Sequence, residues 1–126
     1  MSEVLVPGPD HPITVEPTGE HVVVRAGGVV VAESDRALTL AEAGYPPVQY
    51  VPIEDVDPGV LRPTDTSTHC PYKGDASYWT VSLDGDRGDL VDAVWGYPHP
   101  HDAVAAIAGH VAFAPGAAEV TVGAQG

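Results

Sequence analysis

The chain has 126 residues, enough for one domain that buries roughly two-thirds of its unfolded surface and folds without a metal or disulfide staple. Its 14 glycines and 13 prolines leave Val29 to Ala43 as the longest stretch without either, which excludes a helical bundle. With 18 acidic side chains against 5 basic ones the net charge is −13, so a nucleic-acid backbone or an anionic membrane surface is repelled and neither is expected as a partner.

In chain order, Met1 to Gly19 carries four prolines and reads as an extended lead-in that lies along the domain without joining its sheets, with Ile13-Thr14-Val15 able to form a short edge pairing. Residues 20–123 then form a single β domain. His21 to Arg25 and Val29 to Glu33 are β-branched runs joined across Gly27-Gly28, a dipeptide suited to the positive φ of a tight hairpin. Ser34 to Gly44 fits a helix capped by Ser34 or Asp35, and also the strand alternation of Leu38, Leu40 and Glu42; the extended reading is favoured.

Tyr45-Pro46-Pro47 begins an extended piece through Ile53, and Glu54-Asp55 opens at most one turn before Pro58-Gly59. A loop then leads to Thr66-Ser67-Thr68-His69-Cys70. Ala76 to Leu83 and Leu90 to Tyr97 are the clearest strands, separated by the acidic turn Asp84 to Gly88. Pro100 to Gly109 holds a short helix with Asp102 at its cap, and Val111 to Phe113 and Glu119 to Val122 close the sheet. The predicted fold is mainly β and antiparallel, with one short helix. Strand parity puts Trp79, Val81 and Leu83 on one face and Val91, Ala93 and Trp95 on another.

The single cysteine, Cys70, excludes an internal disulfide and suits a reducing cytoplasm, and no Lys or Arg precedes Arg25 to make the basic region of a signal peptide. Cys70 is either a small buried hydrophobe or a nucleophile. His69 points away from it in an extended chain, so a dyad needs His99, His101 or His110. Pro71 and Gly74 shape a turn that presents Lys73, the only lysine, beside Thr68. Lys73 with Arg36 would make a positive spot for an anion, with Glu42 as counter-ion or general base. His99-Pro100-His101 is the best metal candidate, but no third ligand follows at a diagnostic interval, so no metal is expected.

The motifs Gly8-Pro9-Asp10-His11-Pro12-Ile13, Ala32 to Leu38, Tyr45-Pro46-Pro47 and Tyr50-Val51-Pro52 resemble those of domain-of-unknown-function family 427, sometimes described as nucleotidyltransferase-like. The likeness continues through Thr68 to Trp79, Ala93 to Pro98 and Ile107 to Phe113. It implies a tent-like β domain similar in topology to methionine sulfoxide reductase B and to the ligand-binding domain of cereblon. Those relatives often hold zinc in paired C-x-x-C knuckles, which are absent from this sequence. Carried over motif by motif, the groove residues are Arg36, Glu42, Tyr50, Thr68, Cys70, Lys73, Tyr78, Trp79, Trp95 and Tyr97. The pattern departs at His110 and Ala114, where the family usually shows tyrosines, which implies a wider or more polar rim.

A nucleotidyltransferase would need paired carboxylates on a strand soon after a Gly-Gly or Gly-Ser turn, and neither Asp55-Val56-Asp57 nor Asp84-Gly85-Asp86 fits. The expected function is binding of a small anionic or planar heterocyclic ligand in an aromatic groove, by a monomer or homodimer with its cofactor unassigned. The alternatives are a small enzyme using Cys70 as nucleophile or Lys73 and Glu42 in proton transfer, and a protein-interaction module.

Overall fold

The structure, a computed structural model, describes residues 6–83 and 88–123. Ten strands account for most of it: β1 (Ile13–Pro17), β2 (Val22–Ala26), β3 (Val29–Ser34), β4 (Leu38–Glu42), β5 (Val48–Pro52), β6 (Leu61–Cys70), β7 (Gly74–Ser82), β8 (Asp89–Gly96), β9 (His110–Phe113) and β10 (Glu119–Val122). Seven make one open antiparallel sheet in the order β1-β4-β5-β9-β8-β7-β6, and β10-β2-β3 make a second. The domain is mainly β, as both the punctuation and the family resemblance imply.

Local chemistry explains the turns. Gly27 and Gly28 have φ of 57° and 78°, the doubly left-handed geometry that lets β2 and β3 twist onto each other. Ser34 to Gly44 is extended: Leu38, Leu40 and their neighbours pair with Tyr50, Gln49 and Val48 of β5. Ser34 starts no helix; its Oγ accepts from the Arg36 N–H at 2.9 Å and donates to Asp55 at 2.6 Å. The lead-in does join a sheet, since β1 pairs with β4 over its whole length and becomes the edge of the larger sheet.

Two segments differ from the sequence reading. Leu61 onward is strand rather than loop, because β6 runs ten residues and reaches Cys70 with an irregular register between Pro63 and Ser67. The turn after Pro100 is 3₁₀, Asp102–Ile107, with His101 rather than Asp102 in the cap position and a non-helical Val104 inside it. So short a segment satisfies few of its own backbone groups, and the burial of Val104 and Ile107 holds it in place. The predicted acidic turn at 84–87 lies outside the described residues.

The central strands of the larger sheet carry a packed cluster on each face, while its edge strands β1 and β6 are largely exposed. Val51, Val81, Val94 and Val111 pack with Val22, Val24 and Val31 of the smaller sheet. Their sequence neighbours Tyr50, Ala112 and Trp95 lie in a second cluster with Leu40, Tyr97, Val104 and Ile107. Alternation divides these pairs between the two clusters, with Ala93 beside Val94 in the first cluster as an exception on β8.

Candidate functional site

The second cluster gathers most of the predicted site. Tyr50 comes from β5, Thr68 and Cys70 from β6, Tyr78 from β7, Trp95 from β8, and Tyr97 from the segment beyond it. Lys73 sits in the β6–β7 turn, whose Lys73 N–H donates to Cys70 O at 3.2 Å and whose Gly74 has φ of 115°. The turn is the one that Pro71 and Gly74 predict. The Trp95 indole N–H donates to the Tyr50 hydroxyl at 3.2 Å, and the Thr68 and Tyr78 hydroxyls share a hydrogen bond of 3.0 Å.

Lys73 Nζ donates to Glu42 Oε1 at 2.6 Å, and its ammonium stands 5.8 Å from the centre of the Tyr97 ring. The other Glu42 oxygen accepts from His11 Nε2 at 2.7 Å. The His11 ring in turn stacks on Tyr72, with centroids 4.1 Å apart. Burial is the largest single influence and works against the charge on Lys73, yet the Glu42 hydrogen bond together with the electrostatic pull of Tyr50, Glu42 and Cys70 outweighs it, and the amine is held above its ordinary value of 10.5. Burial likewise opposes the Glu42 carboxylate, but Lys73 and His11 hold it below its ordinary value of 4.5. Burial pushes the Tyr50 and Tyr97 hydroxyls up, aided for Tyr97 by the nearby Tyr50 and Cys70.

Both partners of the ion pair are therefore charged at neutral pH, and neither side chain is more than 15% exposed. A lysine held protonated is a poor nucleophile, and a carboxylate held ionised by two donors is a weak base. The Lys73–Glu42 pair acts as a clamp joining the end of β4, the β6–β7 turn and the lead-in. His11 lies within a motif of the family resemblance, but sequence reasoning missed its role because the Gly8 to Pro12 turn gives no sign of which strand it will meet.

Two predicted residues stand elsewhere. The Arg36 guanidinium is 61% exposed and bonded to Glu54 and Asp55 at 2.9 and 3.0 Å, so it forms no positive spot with Lys73. Five residues, Ala37 to Ala41, separate Arg36 from Glu42, about 20 Å of extended chain. Trp79 points to the opposite face of the larger sheet from Trp95, packing on the first cluster. With Tyr97 and His110 it lines a pocket of about 160 Å³.

The expected common face of Val91, Ala93 and Trp95 is broken as well: Val91 is 74% exposed, Ala93 joins the first cluster and Trp95 the second. The cause is a bulge, since the β7–β8 register jumps from Trp79↔Val94 to Val81↔Leu90 and Asp92 takes a φ of 53°.

A larger pocket, about 580 Å³, is lined in part by Trp95. Pro46, Pro47 and Val48 form one wall, and Phe113, Pro115 and Val120 the facing one. Gln49 and Glu119 supply its polar groups. The Gln49 side chain is fixed, its Oε1 accepting from Thr18 at 2.6 Å and its Nε2 donating to Thr39 at 3.0 Å. Among the described residues no lysine or arginine lines this pocket. The sequence signal was Tyr45-Pro46-Pro47 before an apolar run and Pro115 after Phe113, but nothing local says that the two segments face each other.

Comparison with curated proteins finds no match. Residues 14–124 match the family described as a domain of unknown function (DUF427), and the chain belongs to that family.

Proposed function

We propose that this protein binds a small, planar, largely apolar ligand in the pocket beside Trp95. The observation that carries the reading is the pocket itself: a cavity of drug-like size, walled by prolines, Val48, Phe113 and an indole, with few polar groups. Trp95 is anchored through its N–H to Tyr50, which fixes the ring for stacking. Of the two ligand classes expected from sequence, the planar heterocycle is the one retained. Among the described residues an anion would meet Glu119 and no cation at the pocket, and Lys73 is already paired with Glu42.

The test is a set of planar heteroaromatic fragments titrated into ¹⁵N-labelled protein. The expected outcome is movement of the Trp95 indole N–H resonance and a raised melting temperature, both lost in Trp95→Leu. If fragments that bind leave the Trp95 signal unmoved and bind Trp95→Leu equally well, the pocket is not the ligand site.

A further inference from the structure

Pairing between β5 and β9 stops after Val51↔Val111 and Pro52↔His110. Beyond it, the Ile53 N–H donates to Gly109 O at 2.9 Å, so Ile53 turns its main chain toward the β9 side. In an antiparallel ladder alternate residues point their N–H and C=O groups to the same neighbour. Val51 and Gln49 therefore turn theirs toward β9 too. On β9, the Ala114 N–H donates to Ala93 O at 2.7 Å on the β8 side, so Phe113, one residue earlier, faces β5. Gln49 and Phe113 thus direct main-chain groups toward each other, yet no ladder pair joins them among the described residues. Both line the pocket that contains Trp95.

The next residues with the same parity are Pro47 on the β5 side and Pro115 on the β9 side. Neither has an N–H, so the ladder has no donor with which to continue, and the split is one residue deep on each edge. An added peptide strand would need donors and acceptors repeated along its length. A single ring does not. A strand residue offers its N–H and C=O side by side, which matches a planar edge carrying an acceptor next to a donor.

We infer that the ligand of this pocket carries such an edge, as a cyclic amide or an aminoheterocycle does, and that the main chain of Gln49 or Phe113 reads it while Trp95 stacks on the ring. The inference rests on the pocket beside Trp95 being the ligand site. It deepens that reading by naming the class of ligand: a neutral lactam-type heterocycle, recognised by backbone rather than by a charged side chain.

The test compares 2-quinolinone, its N-methyl derivative and naphthalene, each titrated into the ¹⁵N-labelled full chain. The expected outcome is that 2-quinolinone binds at least about tenfold more tightly than the N-methyl compound, which lacks the donor, and shifts the amide resonance of Gln49 or Phe113. Equal affinity for all three, with the Trp95 indole moving each time, would overturn the edge-recognition inference and leave an apolar pocket. Failure of all three to move the Trp95 indole would overturn both the inference and the site on which it rests.

Discussion

Lys73 and Glu42 meet through a 2.6 Å hydrogen bond across 31 residues of sequence, and the only lysine of a strongly acidic chain is engaged within its own fold. Its task is to tie the β6–β7 turn to β4, where His11 also binds the same carboxylate. Removing Lys73 leaves the largely buried Glu42 carboxylate with His11 as its one remaining donor and one oxygen unpaired, and removing Glu42 takes the acceptor from the largely buried ammonium. We predict that Lys73→Ala destabilises the fold by about 2 kcal/mol, the cost of an orphaned charged hydrogen-bonding group. Lys73→Met combined with Glu42→Leu should recover much of that loss, because an apolar pair of similar volume strands no charge. Urea midpoints at constant slope are the measurement, and a double variant no more stable than Lys73→Ala would contradict the clamp.

The same pair sets a pH dependence. The folded pKa of Glu42 lies below its ordinary 4.5, so its contribution is complete above that value and is lost as pH falls through the folded pKa. The folded pKa of Lys73 lies above its ordinary 10.5, so its contribution is complete below that value and is lost as pH rises through the folded pKa. The stability gap between the wild type and Glu42→Gln should therefore stay flat from about pH 6 to 9 and narrow at acid pH. A gap that widens on acidification would reverse the assignment. Chemical denaturation at a series of pH values decides it.

Gly96 shows why a strand end in the core needs hydrogen as its side chain. A Cβ there would lie 2.8 Å from His110 O and 3.2 Å from a Val111 methyl, and a backbone carbonyl in a ladder has little room to retreat. Gly96→Ala is expected to cost about 1–3 kcal/mol by overpacking. Gly116→Ala meets nothing within 4 Å and is expected to be neutral or stabilising by up to about 1 kcal/mol, through loss of unfolded-state entropy. Thermal melts should show Gly96→Ala well below the wild type and Gly116→Ala level with it or above; a tolerated Gly96→Ala would mean that β8 and β9 can part at this point.

Asp92 holds the bulge that separates the faces of β8. Its carboxylate accepts from the hydroxyls of Thr64 and Thr66 at 2.7 and 2.6 Å, and its φ of 53° suits Asp or Asn better than Ala. The expected order of melting temperature is wild type, then Asp92→Asn, then Asp92→Ala, since Asn keeps an acceptor and the backbone preference. An Ala variant as stable as Asn would show that neither the hydroxyl bonds nor the backbone conformation matters there.

Sequence alone carried the class of the fold and the local turns. Gly and Pro spacing excluded long helices, Gly27-Gly28 specified a hairpin, and Pro71 with Gly74 specified the turn at Lys73, because φ limits and missing N–H groups act within a few residues. The resemblance named the family, and five of its ten carried-over residues, Tyr50, Cys70, Tyr78, Trp95 and Tyr97, lie in the second cluster, with Thr68 tied to it through Tyr78 and Lys73 and Glu42 through Tyr97. What tertiary structure decided was everything that depends on which segments meet. Arg36 went to Asp55, Lys73 to Glu42 and His11 to the same carboxylate, because a charge pairs with whatever the fold brings within reach. The bulge between β7 and β8 moved Val91 out of the core, since inserted residues break the local alternation, while the register of the two strands, with Trp79 opposite Val94 and Tyr78 opposite Trp95, put the two indoles in opposite clusters. The split between Gln49 and Phe113 was beyond local reading for the same reason: Pro47 and Pro115 end the ladder only once β5 and β9 lie side by side.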